Sequence, residues 1–157
     1  MSRVFIDIVT KSGAYVKRAD QDVMLKRSFE NAGNVWHRNY RLRHFERGAF
    51  QRYRYTERSR IYTQRKKKRF GHTKPLVLTG TTRDRTANKN VAAKKNEVRV
   101  KMPANALNFR PRGFRGNMRD EFTQINSREH GILSSRMNNE LVQRLKTYEK
   151  TGRVRIR

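Results

Sequence analysis

The apolar positions along the chain change period several times. At the N-terminus, "RVFIDIV" alternates, with Val4, Ile6 and Ile8 on one side and Phe5, Asp7 and Val9 on the other. This predicts a strand, ended by the turn-prone "KSG". From residue 20 to 42, Leu25, Phe29, Ala32, Trp36 and Tyr40 recur every three or four positions, the spacing of an amphipathic helix. Asp20 suits its N-cap. Gly33 lies inside it, where glycine costs about 1 kcal/mol relative to alanine, so the helix bends there or another backbone approaches.

A loop through Gly48 and a shorter helix from about Glu57 to Lys68 are expected next. "KPLVLTG" follows, its apolar triplet fenced by Pro75 and Gly80, which reads as a short extended element. "TTRDRTANKN" is polar and turn-rich. "NEVRVKM" alternates again, with Val98, Val100 and Met102 on one face, and predicts a strand of a half-buried antiparallel sheet closed by Pro103. Residues 104–120 read as a loop. Ser127 starts a second helix whose apolar side is Ile132, Leu133, Met137, Leu141 and Leu145, with Glu129 favouring its N-terminal dipole. The tail "TGRVRIR" reads as a final strand or a basic arm. These elements make an α+β fold, a small antiparallel sheet packed against a long N-terminal helix and a C-terminal helix, with basic loops. Its expected organisation is a single domain over 1–150 and a basic strand or tail over 151–157.

Charge sharpens this picture. Of 157 residues, 39 are Lys or Arg and 13 are Asp or Glu, a formal net charge of +26. Residues 26–70 carry 15 cations against three Glu, and residues 71–157 carry 20 against seven acids. The charge is spread through the fold and exceeds what solubility asks of a small domain, so a polyanion or an acidic neighbour is expected. Base-reading motifs are absent, which makes the expected binding electrostatic and blind to sequence. At 34%, the apolar fraction is low, and the core is expected to be small and aromatic-rich. Phe50, Tyr53 and Tyr55, interleaved with arginine, read as core anchors in preference to base-stacking platforms.

Specific chemistry finds little support. There is no cysteine, hence no disulfide framework and no Cys-based zinc site. His37, His44, His72 and His130 read as surface residues, since the seven-residue gap between the first two is wrong for a helical metal pair. The adjacent Asp120 and Glu121 suit a helix N-terminus. Without a Gly-rich phosphate loop or a nucleophile elbow, the expectation is a non-enzyme with no cofactor, no metal and no membrane span.

The order of an amphipathic helix, "QRKKKRF", "KPLVLTG", "VRVKMP" and a closing helix through "INSREHGILSSRM" resembles the virion morphogenesis proteins of tailed bacteriophages, the small neck and tail-completion proteins that join head to tail. The matching residues are Pro75, Leu76, Thr79 and Gly80, then Val98 to Met102, then the helix containing Glu129. The resemblance covers roughly residues 20–146, and the arginine-glycine loop at 110–119 has no place in it. It implies a homo-oligomeric ring contacting portal, neck or tail proteins within a virion assembled in the host cytoplasm. In that setting Pro75, Leu76, Thr79 and Gly80 would form a structural junction. Arg65, Lys66, Lys67, Lys68, Arg69, Arg110, Arg112, Arg115 and Arg119 would face packaged DNA or acidic partners through nonspecific electrostatics. The competing expectation is a sequence-nonspecific nucleic-acid-binding protein, such as a ribosomal or ribonucleoprotein component.

Overall fold

The computed structural model describes residues 16–108, 110 and 117–152. The strand expected over Val4 to Val9, the arginines Arg112 and Arg115, and residues 153–157 of the tail lie outside the described residues.

Helix α1, Arg18–Asn39, realises the predicted stripe. Ala32, Trp36 and Tyr40 are buried, and Met24, Ser28 and Val35 join them on the same side. Its N-cap is Lys17, whose side chain makes no capping bond, and Asp20 lies in the first turn. The expected Asp20 cap is therefore displaced: the N-cap lies three residues earlier, at Lys17, and the carboxylate serves the dipole instead. A 3-10 turn over Arg41–Phe45 carries the chain off the helix.

Two short helices follow, α2 at Ala49–Arg52 and α3 at Arg60–Phe70. The loop expected through Gly48 is thus a helical turn whose Ala49 is fully buried. Ser59 caps α3 by accepting from the Tyr62 backbone N–H at 3.3 Å, and Gly71 ends it in the left-handed region at φ 71°.

Residues 75–80 do not form the extended element expected of them. Leu76 adopts φ 53° and Gly80 φ 96°, so the segment folds into successive turns. Val77 enters the core while Leu78 stays exposed. The nearby donors are side chains: His72 Nε2 bonds the Leu78 carbonyl at 3.2 Å, and Lys66 Nζ bonds the Lys74 carbonyl. Gly80 then starts helix α4, Thr81–Arg85, within the stretch expected to be turn-rich.

Strands β1, Asn90–Ala93, and β2, Val98–Lys101, form an antiparallel hairpin with Val91 opposite Val100 and Ala93 opposite Val98. The Lys94 N–H donates to the Glu97 carbonyl at 2.8 Å and closes its turn. The hairpin lies across α1 at Gly33. A Cβ on Gly33 would meet Val98 Cγ2 at 2.7 Å and Val100 Cγ2 at 3.2 Å. The glycine therefore lets the valine face settle onto the helix.

Beyond a 3-10 turn at Asn105–Leu107 comes α5, Met118–Phe122, opened by a capping box between Asn117 and Asp120. Helix α6, Ser127–Thr151, is capped by Asn126, which accepts from the Glu129 N–H at 2.9 Å. It runs against α1, where Asn31 Nδ2 donates to Glu140 Oε2 at 3.0 Å. Leu133 packs against Val35, Trp36 and Tyr40. Ile132, expected on the apolar side, is exposed. The fold is α+β, with the hairpin and α6 both seated on α1.

Three small clusters make the core, and shared side chains join them. Phe45, Val77, Leu107, Met118 and Phe122 form one, and Val35, Trp36 and Tyr40 another, with Met102 touching both. Ala49, Tyr53 and Tyr55 form the third, tied to the first through Leu76. The anchoring role expected of Tyr53 and Tyr55 is realised, and Phe50 packs beside them.

Candidate functional site

Helix α3 presents Arg65, Lys67, Lys68 and Arg69 to solvent. Lys66 departs from this expected set. It is 6% exposed, and burial pulls its ammonium down to about 8. The reason is visible in helical spacing: Lys66 stands four residues from both Tyr62 and Phe70, on the side of α3 turned toward the chain. Its Nζ lies 5.8 Å from the Tyr62 ring centroid while donating to the Lys74 carbonyl.

Arg110 and Arg119 are exposed at the two ends of the arginine-glycine loop. Asn117 Nδ2 donates to Asn108 Oδ1 at 3.3 Å and draws those ends together. The junction residues divide: Pro75 and Gly80 are buried, Leu76 is half-buried, and Thr79 is exposed, with its hydroxyl 3.0 Å from that of Thr81.

Between α2 and α3 on one side and the 75–85 segment on the other lies a cleft of about 740 Å³. Leu76, Val77, Leu107 and Met118 reach it from the core. Arg47, Arg58, Lys66, Arg69, Arg83 and Arg85 also line it, and Glu57 is the one carboxylate among its described lining residues. Arg58 is bound to the buried Glu121, with Nη2 to Oε2 at 2.5 Å and Nη1 to Oε1 at 3.1 Å. Its guanidinium is thereby fixed in direction. The α4 wall is held by buried Arg41, whose Nη1 donates to the Arg83 carbonyl and the Thr86 hydroxyl, both at 2.8 Å. Burial also lowers Arg41 from its ordinary value.

The histidines expected at the surface divide as well. His130 is exposed, but His37 and His44 are buried. His37 Nε2 lies 2.9 Å from the Thr86 carbonyl, and burial lowers its imidazole below the usual range. His44 is fully enclosed. Its ring stacks on Tyr53 at 3.9 Å, and its Nδ1 lies 2.5 Å from the Tyr55 hydroxyl. Burial pulls it down to about 4, against the Glu121 backbone, which favours the proton. The Tyr53 hydroxyl donates to Glu129 Oε1 at 2.5 Å. Burial, and then these carboxylates, push both phenols upward.

Sequence reasoning missed His44, Glu129 and the Arg58 pairing with Glu121 as a buried polar network. An alternating run of aromatics and cations reads the same whether its polar members point in or out. The available signal was the aromatic density around His44. Among the described residues no group of three or more His, Cys, Asp or Glu is placed to hold a metal ion, and no helix is long and apolar enough to cross a membrane. Comparison with protein-family models, with curated proteins and with solved structures found no match.

Proposed function

We propose that this chain is a structural virion protein of a tailed phage, a neck or tail-completion component that joins head to tail by protein contacts beside the DNA channel. One observation carries the reading, the seat of the Pro75 to Gly80 junction. Leu76 touches two core clusters, and Gly80 opens the helix that leads to the hairpin. The segment is thus tied to both of those clusters and leads through α4 toward the hairpin, in the order that the resemblance implies. Exposed Ile61, Leu78, Ile125 and Val142 leave apolar surface for neighbouring subunits. Diffuse charge suits a channel wall, because a base-specific grip would impede the genome.

The second reading, a sequence-blind nucleic-acid-binding protein of the ribonucleoprotein kind, is favoured by the exposed cations on α3. Light scattering in high salt after nuclease treatment separates the two. A closed oligomer, alone or on addition of neck proteins, supports the virion reading. A persistent monomer that binds only RNA overturns it.

A further inference from the structure

We propose that the cleft between α3 and the 75–85 segment is a docking site for an acidic peptide segment of a partner protein, one that carries an apolar anchor side chain. The inference stands apart from the virion reading, since it rests on the cleft's chemistry alone.

The floor sets the first requirement. Val77, Leu107 and Met118 are core residues whose packing makes the cleft's inner surface. At the mouth, Leu78 is 52% exposed and Tyr62 44% exposed. An aliphatic side chain entering there exchanges water for these groups, which favours binding by about 25 cal/mol per Å² of apolar surface removed from water.

The walls set the second. Arg69 on α3 and Arg83 on α4 both line the cleft and are exposed, and Arg83 Nε also donates to Asp84 Oδ1 at 2.9 Å. Arg47 and Arg85 extend the cationic lining, against the single Glu57. Carboxylates flanking the anchor meet guanidinium groups from two elements of the lining, which gives charge-assisted hydrogen bonds.

Two other occupants fit less well. A second copy of this chain brings a net charge of +26 of its own. A nucleic acid strand wants open aromatic faces for its bases, and each candidate ring here has a cation over it: Arg58 near Phe50 at 5.7 Å, Lys66 near Tyr62 at 5.8 Å and Arg69 near Phe70 at 5.3 Å. Base stacking would displace those cations, whereas an aliphatic anchor leaves them in place.

The test uses a short fluorescein-labelled peptide with a Leu-Leu centre flanked by Glu and Asp, titrated with the full chain at physiological ionic strength and read by anisotropy. Polyglutamate without the anchor and oligodeoxythymidylate of equal charge serve as competitors. The anchored peptide is expected to bind about tenfold more tightly than polyglutamate. Leu78→Asp, and the double reversal Arg69→Glu with Arg83→Glu, are each expected to weaken it about tenfold or more. Reversing Arg136 and Lys146 on α6, exposed residues that do not line the cleft, is expected to leave it unchanged. Thermal melting of each variant checks that the chain still folds. Equal binding of polyglutamate, or equal loss on reversing the α6 residues, reduces the effect to bulk charge and overturns the proposal. Displacement by oligodeoxythymidylate that depends on Leu78, Arg69 and Arg83 reassigns the cleft to nucleic acid and also overturns it.

Discussion

Tyr53 and Glu129, 76 residues apart, meet through a hydrogen bond of 2.5 Å from the phenol to the carboxyl in a buried setting. This bond ties the aromatic segment after α1 to the first turn of α6. Tyr53→Phe removes the donor and leaves the acid buried beside a ring, an imbalance that costs about 2 kcal/mol. Urea denaturation is expected to show that loss, and Tyr53→Phe combined with Glu129→Met to recover most of it. Removing both polar partners of a buried bond is far milder than removing one.

Gly33 gives a second prediction, and its sign runs against helix propensity. Alanine there gains about 1 kcal/mol of intrinsic helicity, but its methyl would stand 2.7 Å from Val98 Cγ2. Overpacking of this kind costs about 1–3 kcal/mol, so Gly33→Ala is expected to destabilise by about 1 kcal/mol net. Adding Val98→Ala makes room for the methyl. A positive coupling in the double-mutant cycle is the measurement that checks this.

How much of this could be read in the sequence follows from what each signal depends on. The stripe Leu25, Phe29, Ala32, Trp36 and Tyr40 and the alternation around Val98 and Val100 are local patterns. Both gave elements within a few residues of their observed bounds. Gly33 reads as a bend or a place for close approach, but which element approaches depends on the fold. The 75–80 segment failed as a strand because its apolar residues serve different neighbours: Val77 packs inward, Leu78 points to water, and Leu76 links two clusters. The candidate site was less legible still. Arg69 is legible on charge alone, whereas Arg83, which lines the same cleft, is not, because a cleft between segments leaves no periodic trace.

Acid should weaken the fold through His44. Its folded-state value of about 4 lies below the ordinary 6.5, so between these limits the unfolded chain binds more protons than the folded one. Stability is therefore retained above about pH 6.5 and falls as pH drops toward 4, by on the order of 3 kcal/mol. His37, lowered by burial too, acts in the same direction. Urea midpoints across this range, repeated for His44→Phe, are expected to show a shallower decline in the variant.

Lys66 and Lys68 should separate two effects that charge counting merges. Under the proposed nonspecific contact with DNA, Lys68→Ala is expected to reduce the salt dependence of binding by about one phosphate contact with little change in stability. Lys66→Ala is expected to lower the unfolding midpoint, since it strips the Lys74 carbonyl of its donor, and to leave the salt slope unchanged. Filter binding at several salt concentrations, beside thermal melts, reads both.

Arg58 and Glu121 form the most enclosed ion pair among the described residues, with 14% and 5% of their side chains exposed. Arg58→Met leaves an acid buried among apolar neighbours, and about 3–5 kcal/mol of stability is expected to go. Glu121→Gln, which keeps an oxygen for the Thr56 N–H and the guanidinium, should lose less. Chemical denaturation ranks the two.

The pairing of α1 with α6 governs when the chain can fold. Asn31 and Glu140 are 109 positions apart, and the contact of Leu133 with Val35, Trp36 and Tyr40 waits until α6 has been made, after Val100 and Met102 have reached the same cluster. Loop closure over such a distance is slow. During synthesis Trp36 therefore meets His44, the hairpin and Phe122 before Leu133 arrives. The pairing of the two longest described helices is therefore a late, long-range step, and until it is made the Asn31 side of α1 lacks its Glu140 partner.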